Sequence, residues 1–110
     1  GDSGVGKTSL IELVCSGEEL RKPSSTVGCA IHMKVHESRA TGKHCFVEFW
    51  DIGGSERFKE SRHVFYSNAF DGIVLVYDLG NAVSQRNLEN WRHEWLHVYS
   101  GAIGGCASNQ

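Results

Sequence analysis

The chain of 110 residues has a single proline, no C-x-x-C pair and no large excess of either charge. One proline, with 40% hydrophobic and 22% charged residues, argues against a disordered or collagen-like chain. No apolar run approaches the roughly 18 residues that span a bilayer, and no signal-peptide pattern opens the sequence. Eleven Lys and Arg stand against thirteen Asp and Glu, a formal charge of −2. The electrostatic footprint of a nucleic-acid binder is therefore missing, and no nucleic-acid partner is expected. Cys15, Cys29, Cys45 and Cys106 are widely spaced. That argues against a disulfide framework or a cysteine zinc module and fits reduced thiols in a cytoplasmic chain. Cys106 stands fifth from the end, where a prenylation box needs its cysteine fourth, so no lipid anchor is visible.

The length fits one small domain, and neither repeat nor linker divides it. Leu10, Ile11, Leu13 and Val14 recur at helical spacing over Thr8 to Ser16, with Gly17 placed to end that helix. Residues 18 to 28 are polar, contain Pro23 and predict a loop. Ile31, Met33 and Val35 alternate with His32, Lys34 and His36, which predicts a strand with a buried apolar face and a solvated histidine face. A turn over Ser38–Gly42 leads to a second strand, His44 to Trp50, with Cys45, Val47 and Phe49 on one face, closing an antiparallel hairpin. After Gly53–Gly54 a polar segment to about Ala69 reads as helical. Ile73 to Tyr77 is a continuous apolar run, as in a strand covered on both faces. Ser84 is placed to cap a helix carrying Leu88, Trp91, Trp95 and Val98. Strands and helices alternate, so an α/β layered domain is expected over residues 1–100, with 101–110 an irregular tail.

The strongest motif opens the chain. Gly1-Asp2-Ser3-Gly4-Val5-Gly6-Lys7-Thr8 satisfies G-x-x-x-x-G-K-[ST], and Ser9 continues into the helix. Glycines let successive backbone N–H groups turn inward on phosphate oxygens, where a Cβ would obstruct the turn. Lys7 brings a mobile positive charge to the outer phosphates, and the Thr8 hydroxyl is a hard oxygen ligand for Mg2+. The helix beyond adds its positive end. Thr26, in the following loop, and Asp51, ending the strand Phe46-Val-Glu-Phe-Trp-Asp, have the chemistry to reach the same metal. Gly54 completes Asp-x-x-Gly, whose glycine N–H can bind a terminal phosphate and couple its loss to movement of the next segment.

These motifs, with Ser25-Thr26-Val27-Gly28, Trp50-Asp51-Ile52-Gly53-Gly54, Glu56-Arg57-Phe58, Phe65-Tyr66 and Gly72 to Leu79, resemble the small GTPases of the Ras superfamily, Rab branch. The resemblance covers about residues 1 to 96. It implies a P-loop NTPase three-layer sandwich binding GTP/GDP and Mg2+, with residues 1 to 9 around the phosphates. Thr8 and Thr26 would ligate the metal, and Asp51 would contact it through water. Segments around Ser24–Gly28 and Gly54–Tyr66 would be the switches read by effector and regulator proteins. The strand before the phosphate loop and the last strands of that fold are not in the sequence, so an incomplete sheet and a marginally folded piece are expected.

Departures from the family bear on activity. Ser55 stands where the family carries a water-orienting glutamine, and a serine hydroxyl is too short for that task, so slow hydrolysis is expected. Lys7 and Thr26 would share the catalytic work with Ser55. Conventional Rabs carry a phenylalanine where Ile31 stands, while Trp50 and Phe65 keep part of their aromatic effector surface. The base-reading Asn-Lys-x-Asp does not occur. Three other readings stay open: a nucleotide-gated binding module without hydrolysis, a P-loop ATPase, and a zinc protease through His93-Glu94-x-x-His97, where two histidines share a helix face.

Overall fold

A computed structural model describes residues 1–17 and 24–106, with side chains through residue 101. The part of the expected loop from residue 18 to residue 23, with Pro23, lies outside the described residues. Helix α1, Lys7–Ser16, begins where the opening loop ends. Gly6 at its N-cap has φ 98, a left-handed conformation that a side chain would strain. Gly17, also left-handed, ends the helix by donating its N–H to the Leu13 carbonyl at 2.9 Å.

Strands β1, Cys29–Glu37, and β2, His44–Ile52, pair antiparallel. Their loop is closed by Ser38 N–H donating to the Lys43 carbonyl and Gly42 N–H to the Ser38 carbonyl, each 2.8 Å. The register sets Ile31 opposite Trp50, Met33 opposite Glu48 and Val35 opposite Phe46. Residues directly opposite share a face. The apolar stripe of β1 therefore lies on one face of the sheet, and Cys45, Val47 and Phe49 lie on the other with His32, Lys34 and His36. Helix α1 packs on this second face: Lys34 Nζ donates to the Val14 carbonyl at 2.6 Å, and His32 Nδ1 lies 3.3 Å from Glu12 Oε1. The expectation for β1 is thus inverted, because His32 and Lys34 find polar partners on the helix while Ile31, Met33 and Val35 stand 54–58% exposed. Replacing Met33 by serine should therefore change the unfolding free energy of the full-length protein by less than about 0.5 kcal/mol in a denaturant titration. A loss of several times that would return Met33 to the core.

A 3-10 turn, Glu56–Phe58, leads into helix α2, Lys59–Tyr66, in agreement with the helical reading of that segment. Ile73 to Tyr77 forms no strand: among the described residues the sheet has two strands, and a run without a ladder partner leaves its backbone groups unpaired by sheet bonds. Ile73 is 45% and Val74 73% exposed. The run nevertheless passes the opening loop, since a Cβ built on Gly1 would collide with the Val76 carbonyl.

Ser84 is not the cap expected of it. Asn81 caps α3, Ala82–Arg86, its side chain accepting from the N–H groups of Val83 and Ser84. Ser84 is instead wholly buried, accepting from Asp78 N–H at 3.0 Å and donating to the Asn81 carbonyl at 2.7 Å. After a break at Asn87, helix α4 runs Leu88–Cys106. The supposed irregular tail thus continues as helix through Cys106 despite Gly101, Gly104 and Gly105, the helix already nucleated upstream outweighing their poor propensity. Helix α4 packs against α2 and α3. The most enclosed part of the molecule lies where α2 and α4 meet the opening loop. Among the described side chains Asp51, Arg62 and Ser84 are buried beside Tyr66 and Trp91.

Candidate functional site

The opening loop with the start of α1, residues 24–26, and the glycines that follow β2 converge on a cavity of about 210 Å3. Ser3, Gly4, Gly6, Lys7, Thr8, Ser9, Ser24, Ser25, Thr26, Gly53 and Gly54 line it. Lys7 Nζ reaches back over the loop, donating to the Gly1 carbonyl at 2.9 Å and the Asp2 carbonyl at 2.7 Å. Burial pushes its ammonium below the usual lysine value, against the opposing pull of Asp51 and Asp2. Such a cation gains most from an anion that enters beside it. Gly54 packs against the same lysine: a Cβ there would drive into the Gly1 carbonyl and stand 2.8 Å from Lys7 Nζ.

Three oxygen groups meet at the cavity wall. Thr8 Oγ1 and Thr26 Oγ1 are 2.8 Å apart, and both donate toward Asp51 Oδ2, at 2.5 Å and 3.3 Å. Asp51 is 1% exposed, and its second oxygen, Oδ1, is buried with no hydrogen-bond partner among the described residues. Two hydroxyls beside an under-satisfied buried carboxylate form a hard-oxygen set, and it fits Mg2+. Burial and the Asp51 charge together push the Cys29 thiol up, which disfavours its thiolate.

Asp2 is turned the other way. Its carboxylate leaves the cavity and accepts from Trp91 Nε1 at 2.6 Å and Asn87 Nδ2 at 2.8 Å. Burial alone would raise this carboxyl, but the two donors and the nearby positive charges hold it below the ordinary aspartate value. Of the residues expected around phosphate, Asp2 thus turns its side chain away, and neither Asp2 nor Val5 is in the cavity lining. Ser55 is likewise outside that lining; its carbonyl accepts from Arg62 Nη1 at 2.6 Å.

Arg62, Asn87 and the bond from Trp91 to Asp2 escaped the sequence reading, which placed Trp91 only on a helix. Partners 30 or more residues apart leave no local pattern. A second, larger groove of about 930 Å3 lies between α2 and α4 and includes His63, His93 and His97. Size does not make it the reactive site: no cluster of three His, Cys, Asp or Glu able to hold a metal occurs among the described residues. Glu94, the base that a zinc protease would need, is bound to Arg62 at 2.9 Å. Among the described residues the protease reading finds no metal cluster and no free base.

The family model that matches residues 1–103 is that of Roc, the Ras of Complex domain of DAPkinase. Rab-like protein 3 of Danio rerio is 44% identical over 116 aligned positions, covering 99% of this chain and 49% of the relative. The Mus musculus protein of the same name is 45% identical over the same shares. Small GTPase-like protein LIP2 of Arabidopsis thaliana is 38% identical, covering 86% of this chain and 31% of its own length. The chain thus spans about half the length of the Rab-like relatives it matches. Its glycine loop, its Thr8–Thr26–Asp51 oxygen set and these matches have one common source: the chain belongs to the Ras superfamily of small GTPases, on its Rab-like side.

Proposed function

We propose that these residues are the phosphate-binding and switch segments of a GTP-binding molecular switch of the Rab-like type, working in the cytoplasm. The observation that carries this reading is that Thr8 and Thr26, from separate segments, line one cavity with Lys7 and both bond the buried carboxylate of Asp51 from a third. The loop N–H groups and Lys7 would hold the phosphates of GTP or GDP, and Thr8, Thr26 and Asp51 would hold Mg2+. The metal, when bound, neutralises phosphate charge. Everything else falls to the chain: Lys7 draws the outer phosphates in, Gly54 offers its N–H to the terminal one, and Thr26 is retained only while that phosphate is there. The two switch segments, around Ser24–Gly28 and Gly54–Tyr66, would then present different surfaces to effector and regulator proteins. Phe65 supports that pairing, with its ring tip 4.0 Å from a Cβ built on Gly28.

The cavity volume is below the roughly 300 Å3 at which small-molecule sites begin, which suits phosphates without a base. The family reads guanine through Asn-Lys-x-Asp, which does not occur in these 110 residues, so guanine preference is proposed from the relatives alone. The test is nucleotide titration of the full-length protein. GTP and GDP should bind only with magnesium, and a hundredfold excess of ATP should not compete. Failure of magnesium-dependent uptake would overturn the switch reading, and competition by ATP would make the protein an ATPase relative.

Turnover is a separate matter. A serine hydroxyl at position 55 is too short to hold water over a terminal phosphate as glutamine does, so we expect slow hydrolysis. In a single-turnover assay, Ser55→Gln should accelerate GTP hydrolysis about tenfold or more. The same position supports a second reading, a nucleotide-gated binding module with no hydrolysis; an unchanged, undetectable rate in both proteins would favour it.

A further inference from the structure

We propose that Arg62 is a positioning residue that ties the segment after Gly54 to the phosphate loop through Trp91 and Asp2; the proposal rests on the switch reading above. The Arg62 side chain is 1% exposed and uses its planar fork fully. Nε and Nη2 donate to the two oxygens of Glu94 at 2.9 Å and 3.2 Å, Nη1 donates to the Ser55 carbonyl at 2.6 Å, and the guanidinium lies 4.6 Å above the Trp91 ring. From there the contacts continue: Trp91 Nε1 donates to Asp2 Oδ1 at 2.6 Å, and Asn87 holds the other oxygen. Trp91 and Glu94 stand three residues apart on one face of α4, and Asn87, four residues before Trp91, immediately precedes that helix.

The consequence is a coupling between two ends of the phosphate site. One end is the loop backbone at Asp2; the other is the Ser55 carbonyl, one residue past Gly54. Asp2 is fastened to Trp91 on α4, and the Ser55 carbonyl to Arg62 on α2, which reaches α4 by pairing with Glu94 and stacking on Trp91. If the Gly54–Ser55 segment moves when a terminal phosphate is lost, a buried guanidinium is left with an unpaired donor over the ring that holds Asp2. Arg62 therefore sets the preference for GTP over GDP more than the affinity for either. Lysine cannot substitute, because a point charge can satisfy Glu94 without stacking on Trp91 and reaching Ser55 together.

The experiment measures, in the full-length protein, the ratio of affinities for a non-hydrolysable GTP analogue and for GDP. Arg62→Lys should lower that ratio by about fivefold or more while the thermal melt still reports a folded protein. Glu94→Gln, which keeps shape and an acceptor, serves if Arg62→Lys does not fold. Asp2→Asn combined with Arg62→Lys should be non-additive in the ratio, although the two side chains share no hydrogen bond. With 5-fluorotryptophan incorporated, the Trp91 fluorine signal, assigned by its loss in Trp91→Phe, should differ between the two nucleotide states and lose that difference in Arg62→Lys. A ratio within about twofold of the parent, an additive cycle, or a Trp91 signal blind to nucleotide state overturns the coupling with the switch reading intact. Absence of nucleotide binding by the parent protein overturns both.

Discussion

Lys7→Ala in the full-length protein should weaken magnesium-dependent GTP binding about a hundredfold or more, which corresponds to about 2.7 kcal/mol. Lys7 Nζ is drawn into the wall of the cavity by the Gly1 and Asp2 carbonyls, and burial has already shed part of its hydration. A phosphate oxygen that replaces lost water meets a cation in a site screened from solvent, where charge-assisted hydrogen bonds are roughly twice as strong as neutral ones. Alanine removes that partner and also frees the two loop carbonyls, so the loop loses its internal clasp as well as its charge. Equilibrium titration with a fluorescent GTP analogue measures the effect. Affinity within about threefold of the parent would mean that the opening loop does not hold the phosphates.

Gly54→Ala should reduce affinity for a non-hydrolysable GTP analogue more than about tenfold, about 1.4 kcal/mol, and reduce GDP affinity less. The added methyl has no free space. It would drive into the Gly1 carbonyl and approach the Asp2 carbonyl carbon and Lys7 Nζ, each to 2.8 Å. Two of those three obstacles are backbone, which cannot swing aside as a side chain can. The chain must separate Gly54 from the loop, and the N–H offered to a terminal phosphate moves with it. GDP lacks that phosphate and loses only what the displaced lysine and loop cost it. Paired titrations with both nucleotides check the expectation; an equal loss for both would remove the terminal-phosphate role from Gly54 and leave a packing defect.

What could be read from residues alone was local. The opening octapeptide, the extent of α1 with its glycine end, the two strands of the hairpin and the helix after Gly54 each follow from spacing or from a residue with one conformational use. Candidate metal oxygens were legible too, because Thr8, Thr26 and Asp51 have few chemistries to offer behind a glycine loop. Strand alternation correctly sorted His32 from Met33, yet it could not say which set meets α1.

That choice belongs to the register, Met33 against Glu48, and to Glu12 and the Val14 carbonyl waiting on the helix. In the same way Asp2 looked like a loop residue among others until Trp91 and Asn87 took its carboxylate, and Ile73 to Tyr77 looked like a strand until no ladder partner met it. Short-range composition thus determined the phosphate loop and the elements around it. Tertiary structure alone decided which faces turn inward, which charges are buried together and where Arg62 makes its bonds. The reason is physical: periodicity orders neighbours along one element, whereas hydrogen bonds and burial between elements depend on distances that no stretch of sequence contains.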